Sequence, residues 1–150
     1  MIPLIGVIGG RESDEQALHM AYETGQWIAR YEYGLVCGGK GGIMESAARG
    51  CKEQQGWTVG IIPEEDNSTA NPFIDIVIPT GMGIMRNALV VRSARGLIAI
   101  DGQYGTLSEL AFALQMHKPV VGINTWDVSE TIVQAKEGRE AIQKLIGMIQ

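Results

Sequence analysis

Cysteine, histidine and aromatic residues are scarce in this chain of 150 residues: two Cys, two His, and 6% Phe, Trp and Tyr. Cys37 and Cys51 are too few and too far apart to form a disulfide framework or a zinc knuckle. Cys37 ends an apolar run and reads as a buried free thiol. His19 and His117 have no second ligand at metal-binding spacing, so no structural metal is expected. No apolar run reaches the roughly 18 residues needed to span a bilayer, and the first residues lack the basic-then-apolar pattern of a secretory signal. Positive charge is also short: 12 Lys and Arg against 17 Asp and Glu leave a net charge of −5. A nucleic-acid backbone is therefore not the expected partner, because counterion release needs clustered cations. A local basic site survives this argument, since Arg86, Arg92 and Arg95 fall close together. The expectation is a cytoplasmic protein forming one domain over residues 1–150, with neither a membrane nor a nucleic acid as partner.

Glycine is abundant, with 20 residues, and it gathers where apolar runs end. Pro3–Ile8, Leu35–Cys37, Trp57–Ile62, Phe73–Ile78, Leu97–Ile100 and Pro119–Ile123 read as strands, short and apolar as in a sheet buried on both faces. Helices are predicted between them. Ser13-x-x-Gln16 reads as a capping box opening a helix to about Arg30. Further helices are predicted over about Gly42–Gln55, Gly83–Ala94 with an Ile84, Ala88, Val91 stripe, Thr106–His117 and Arg139–Ile149. Pro63–Pro72 is polar and turn-rich, so it reads as a surface loop. Thr131–Ala135 fits a short edge strand or a helix. This alternation implies an α/β fold: a Rossmann-like, doubly wound, mainly parallel sheet with helices on both faces.

In such sheets ligands sit outside the carboxyl ends of the strands, where strand order reverses. Three glycine-rich turns lie at predicted strand ends: Gly9-Gly10, Gly38-Gly39-Lys40-Gly41-Gly42, and Asp101–Thr106. A turn that opens a helix leaves backbone N–H groups unpaired at the positive end of the helix dipole, which suits phosphate. One such turn has a purely conformational explanation, because glycine tolerates positive φ. Three on one sheet edge point to a phosphate-bearing ligand.

Two familiar patterns are decoys. Gly34-x-x-x-x-Gly39-Lys40 imitates a P-loop, but Gly41 stands where a magnesium-binding hydroxyl belongs and Gly34 precedes its strand. Gly81-x-Gly83 imitates a dinucleotide fingerprint, but Arg86 replaces the glycine that lets helix and strand approach. Other residues carry two readings. Lys40 is a phosphate partner or a solvated loop lysine. Thr106-x-x-Glu109 is a capping box, or it holds a carboxylate at the pocket as acid, base or hydroxyl acceptor. Arg86 is a surface arginine or a cation at the cleft mouth.

Gly-Gly-Lys-Gly-Gly-Ile-Met-Glu-Ser-Ala-Ala at 38–48, Met85-Arg86-Asn87, and Asp-Gly-Gln-Tyr-Gly-Thr-Leu-Ser-Glu at 101–109 resemble the Lonely Guy superfamily. Its members include cytokinin-activating phosphoribohydrolases and molybdenum cofactor carrier proteins. The resemblance implies a Rossmann-like fold, a homodimer or homotetramer, and a phosphate site at the glycine turns. Glu109 matches the acid of the hydrolase motif Pro-Gly-Gly-x-Gly-Thr-x-x-Glu, and Arg86 matches its catalytic arginine. Gly102, Gly105 and Thr106 match the loop. Asp101, Gln103 and Asn87 depart from the motif's Pro, Gly and Lys, and Glu45 stands where the hydrolases carry Gly. The departures resemble the carrier branch.

The leading expectation is therefore a binding protein for a phosphorylated small molecule, the molybdenum cofactor or a nucleotide, requiring no resident cofactor. Its ligand would be held at Gly9, Gly10, Gly38, Gly39, Lys40, Gly41, Gly42, Arg86, Asn87, Gly102, Gly105 and Thr106. The alternative is a phosphoribohydrolase cleaving a nucleoside 5′-monophosphate to base and ribose 5-phosphate, with Glu109 and Arg86 as its catalytic residues.

Overall fold

The structure, a computed structural model, describes residues 1–149. Among the described residues the strands are β1 (Leu4–Gly9), β2 (Gly34–Cys37), β3 (Thr58–Ile62), β4 (Ile76–Pro79), β5 (Gly96–Ile100), β6 (Val120–Ile123) and β7 (Val133–Gln134). The helices are α1 (Glu15–Arg30), α2 (Ile43–Glu53), α3 (Asn87–Ser93), α4 (Tyr104–Gln115) and α5 (Gly138–Ile149). The strands form one sheet in the order β4-β3-β2-β1-β5-β6-β7, and every neighbouring pair is parallel. The doubly wound α/β architecture is as expected, and the sheet is parallel throughout.

Alternation along the central strands builds a core on each face. Ile5 and Val7 of β1, with Ile98 and Ile100 of β5, pack under α1, α2 and α5. Ile8 of β1, with Leu97 and Ala99 of β5, packs under α3 and α4 with Val90, Val91, Leu110 and Ala113. These side chains are essentially fully buried, and at roughly 1.5–3 kcal/mol for each large one they dominate the folding free energy. The chain runs outward from β1 to β4, returns, and continues from β5 on the other side of β1. Strand order therefore reverses at β1, and the crevice such a reversal opens lies at the carboxyl ends of β1, β2 and β5.

Several local expectations are corrected. Asp14, not Ser13, caps α1: its side chain accepts from the Ala17 N–H at 2.8 Å. The Ser13 hydroxyl instead donates to Asp101 Oδ2 at 3.1 Å, because the β5–α4 turn lies within its reach. The helix predicted over 83–94 is a 3-10 turn (Gly83–Arg86) running into α3. Positive φ at Gly81 and Gly83 breaks the periodicity, so Ile84 is exposed while Arg86 and Asn87 turn inward. Segment 131–135 contains β7, which pairs in parallel with β6. Helix α4 begins two residues before the predicted start at Thr106, and this shift changes the reading of Glu109.

Candidate functional site

A cavity of about 380 Å³ opens at the carboxyl ends of β1, β2 and β5, within the range that small ligands occupy. Of the sequence-predicted residues, Gly9, Gly10, Gly38, Arg86, Asn87, Gly105, Thr106 and Glu109 line it. Gly39, Lys40, Gly41, Gly42 and Gly102 do not. Residues 11, 12 and 103 also line it and were not predicted.

The five outside the lining have other roles, or none visible. Lys40 Nζ is an ion-pair partner of Glu64 at 2.9 Å and also donates to the Thr69 carbonyl at 2.8 Å. The hydrogen bond from Lys40 holds the Glu64 carboxyl below its ordinary range. Gly42 adopts φ +68°, and a Cβ there would overlap the Arg11 carbonyl. Gly102 adopts φ +105°, and a Cβ there would overlap the Thr106 side chain. Both positions need glycine for conformation and close approach. Gly39 packs against Ile62 and Gly60, and Gly41 faces open space.

Arg86 is 7% exposed, a burial unusual for an arginine. Nε donates to the Ile61 carbonyl at 2.9 Å, one terminal nitrogen donates to the Gly38 carbonyl at 3.3 Å, and the other reaches Asn87 Oδ1. All three acceptors are neutral. Among the described residues no carboxylate lies within ion-pair distance of the guanidinium. Burial lowers its pKa, nearby Glu109 opposes that, and Arg11 adds to it; an arginine nonetheless stays charged. Asn87 continues the network, with Nδ2 donating to the Gly105 carbonyl at 3.4 Å and Ser108 Oγ at 3.2 Å. The arginine is thereby tied to the first turns of α4.

The capping-box reading of Thr106 and Glu109 fails. Gln103 is the N-cap of α4 and makes no side-chain cap bond, so Thr106 is the third helical residue and Glu109 sits in the second turn. The Gln103 carbonyl is held by Trp126 Nε1 at 3.1 Å, which fixes the turn from behind. Without a capping side chain, the N–H groups of the first turn of α4 remain available where Gly105 and Thr106 line the cavity. Glu109 is 6% exposed and lines the same cavity. Burial pushes its carboxyl up to about 8, against the pull of Arg86. At neutral pH it is mostly protonated, able to donate a hydrogen bond and uncharged toward Arg86. Cys37, beneath the site, is pushed up to about 12 by burial and is an inert thiol.

A doubly wound parallel sheet with a buried arginine, glycine turns and an acid at its switch point defines the Rossmann-like class that contains the Lonely Guy and molybdenum cofactor carrier proteins. Within it, the chain belongs to the SLOG cluster4 family, whose sequence model matches residues 2–148. Among solved structures, it is similar to the molybdenum cofactor binding protein of Rippkaea orientalis, with 33% identity, a TM-score of 0.94, and coverage of 100% of this chain and 99% of that one. It is also similar to the molybdenum cofactor carrier protein of Chlamydomonas reinhardtii, with 33% identity, a TM-score of 0.88, and coverage of 98% of each. A cytokinin riboside 5′-monophosphate phosphoribohydrolase of Mycobacterium tuberculosis is 34% identical over 123 residues, 74% of this chain. The match spans 64% of that enzyme's length.

Proposed function

We propose that this protein binds a phosphate-bearing small molecule, the molybdenum cofactor or a nucleotide, in the cleft at the end of β1 and holds it without turning it over. The observation that carries the reading is Arg86, a buried cation lining the cleft with only neutral acceptors around it. Keeping an ion out of water without a counterion costs several kcal/mol. A phosphate seated on the first turn of α4 would offset that cost and accept hydrogen bonds from the free N–H groups. A molybdenum cofactor would be cargo here, its phosphate held by Arg86 and the N–H groups of Gly105 and Thr106. Similarity to the two molybdenum cofactor proteins supports the reading. Calorimetry with adenosine 5′-monophosphate, and elemental analysis for molybdenum after expression in a cofactor-producing host, test it. A saturable heat or stoichiometric molybdenum is expected; neither one appearing would overturn it.

One observation favours the hydrolase reading. Glu109 does not cap its helix and faces the cleft beside Arg86, where it could stabilise an oxocarbenium-like transition state and orient water. It would have to ionise first, and Asn87 stands where the hydrolases carry a lysine. Adenine released from adenosine 5′-monophosphate, and abolished by Glu109→Gln, would establish it.

The reading includes a second copy of the chain. Ile76, Ile78, Met82, Ile84 and Met85 are 43–63% exposed along the outer strand β4 and the turn after it, and Ile84 also lines the cleft. An unpaired parallel edge with adjoining apolar side chains is the kind of surface a homodimer or homotetramer buries. Light scattering on the wild type should give a multiple of 16.2 kDa, and Met85→Glu should lower it.

A further inference from the structure

We propose that Arg11 is a second cation for the ligand's phosphate, and that Arg11 and Arg86 together select a doubly charged phosphate monoester over a singly charged diester. This rests on the cleft binding phosphate at all, and it names the charge state of the group the cleft takes.

Residue 11 sits where three turns meet. The Ile43 N–H donates to the Gly10 carbonyl at 3.0 Å, fastening the loop after β1 to the start of α2. The missing Cβ of Gly42 lets the 38–42 turn lie directly against the Arg11 backbone. The Ser13–Asp101 hydrogen bond ties the same loop to the β5–α4 turn at 3.1 Å. The Arg11 backbone is thus fixed from both sides, and the residue is exposed and lines the cleft.

The charges around the cleft do not balance. Arg11 forms no ion pair among the described residues, although Glu12 follows it and also lines the cavity. Arg11 and Arg86 line the same cavity, and the positive charge of Arg11 adds to the lowering of the Arg86 pKa that burial causes. Glu109, the buried carboxyl between the turns, is mostly protonated at neutral pH and does not neutralise them. Two like charges facing one space, neither of them in an ion pair among the described residues, repel each other. An anion between them turns that repulsion into two charge-assisted contacts, and the gain grows with the anion's charge. A phosphate monoester has its second pKa near 6 and is mostly dianionic above pH 7; a diester carries one negative charge.

The experiment compares adenosine 5′-monophosphate with its 3′,5′-cyclic diester by calorimetry at pH 7.5, using wild type, Arg11→Gln and Arg11→Lys. Wild type is expected to prefer the monoester by about tenfold or more. Arg11→Gln should lose about tenfold in affinity for the monoester and less than about threefold for the diester. Arg11→Lys should restore part of the preference, and melting temperatures should stay together. A role confined to loop structure would weaken both ligands equally. Wild-type preference retained in Arg11→Gln, or equal wild-type affinity for the two ligands, would overturn this inference while leaving the phosphate-binding reading intact. A wild type that binds neither nucleotide would overturn this inference, and the phosphate-binding reading falls with it only where the purified protein also carries no molybdenum.

Discussion

The turns after β2 and β5 look alike in sequence, each glycine-rich between an apolar strand and a helix, yet their glycines do different work. In the 38–42 turn only Gly38 reaches the cleft, while Gly42 is a packing requirement and Lys40 is committed to Glu64. In the 101–106 turn one glycine, Gly102, satisfies geometry, while Gly105 and Thr106 present the uncapped start of α4 to the cavity. Glycine content alone does not separate a ligand cradle from a tight junction. What a Cβ would strike does.

Substitution of the two glycines should separate the two turns most clearly. Gly42→Ala places a Cβ against the Arg11 backbone at positive φ, and about 3 kcal/mol or more of stability should be lost in denaturant unfolding. Gly105→Ala adds a Cβ whose nearest neighbour is Asn87 Nδ2 at 3.8 Å, within a helix. That variant should fold at least as well as wild type while crowding the ligand, so calorimetry should detect its effect and unfolding should not. Equal destabilisation by both would erase the distinction between the turns.

Removing the buried cation comes next. Arg86→Gln should reduce affinity for adenosine 5′-monophosphate by about a hundredfold, whereas Lys40→Met, in the glycine-richer turn, should change it less than about twofold.

Glu109 sharpens the same contrast through pH. Its folded-state pKa is raised from an ordinary 4.5 to about 8, so between those values the native state holds a proton that the unfolded chain has released. Stability is full at the acid end of this window and falls by up to about 1.4 kcal/mol per pH unit as pH rises through it. Unfolding series from pH 5 to pH 8.5 should show this decline in wild type and a flatter profile in Glu109→Gln. A parallel decline in the variant would mean that another group carries the slope.

The sheet was legible because its central strands are short apolar runs bounded by turn residues, a signal that depends on burial on both faces and little else. Candidate site residues followed from that placement, and of these Gly9, Gly38 and Gly105 line the cleft. Capping was not legible. Ser13-x-x-Gln16 and Thr106-x-x-Glu109 both have the spacing of a capping box, but Asp101 captures the Ser13 hydroxyl and α4 starts at Tyr104. These outcomes depend on contacts between segments distant in sequence. Lys40 read as a phosphate partner or a solvated loop lysine, and the carboxylate that pairs with it lies 24 residues away. Arg11 was missed for the converse reason: its own residue type marks nothing, and the convergence of three turns is what makes its position notable. The adjacent Gly9-Gly10 pair was the available signal.

The most direct test of the central claim is native mass spectrometry of the protein purified from a cofactor-producing host, with Arg86→Gln prepared alongside. A noncovalent, phosphate-containing small molecule should accompany the wild type and be absent from the variant. Bare protein in both preparations, or the same adduct on both, would contradict the assignment of the cleft as its binding site.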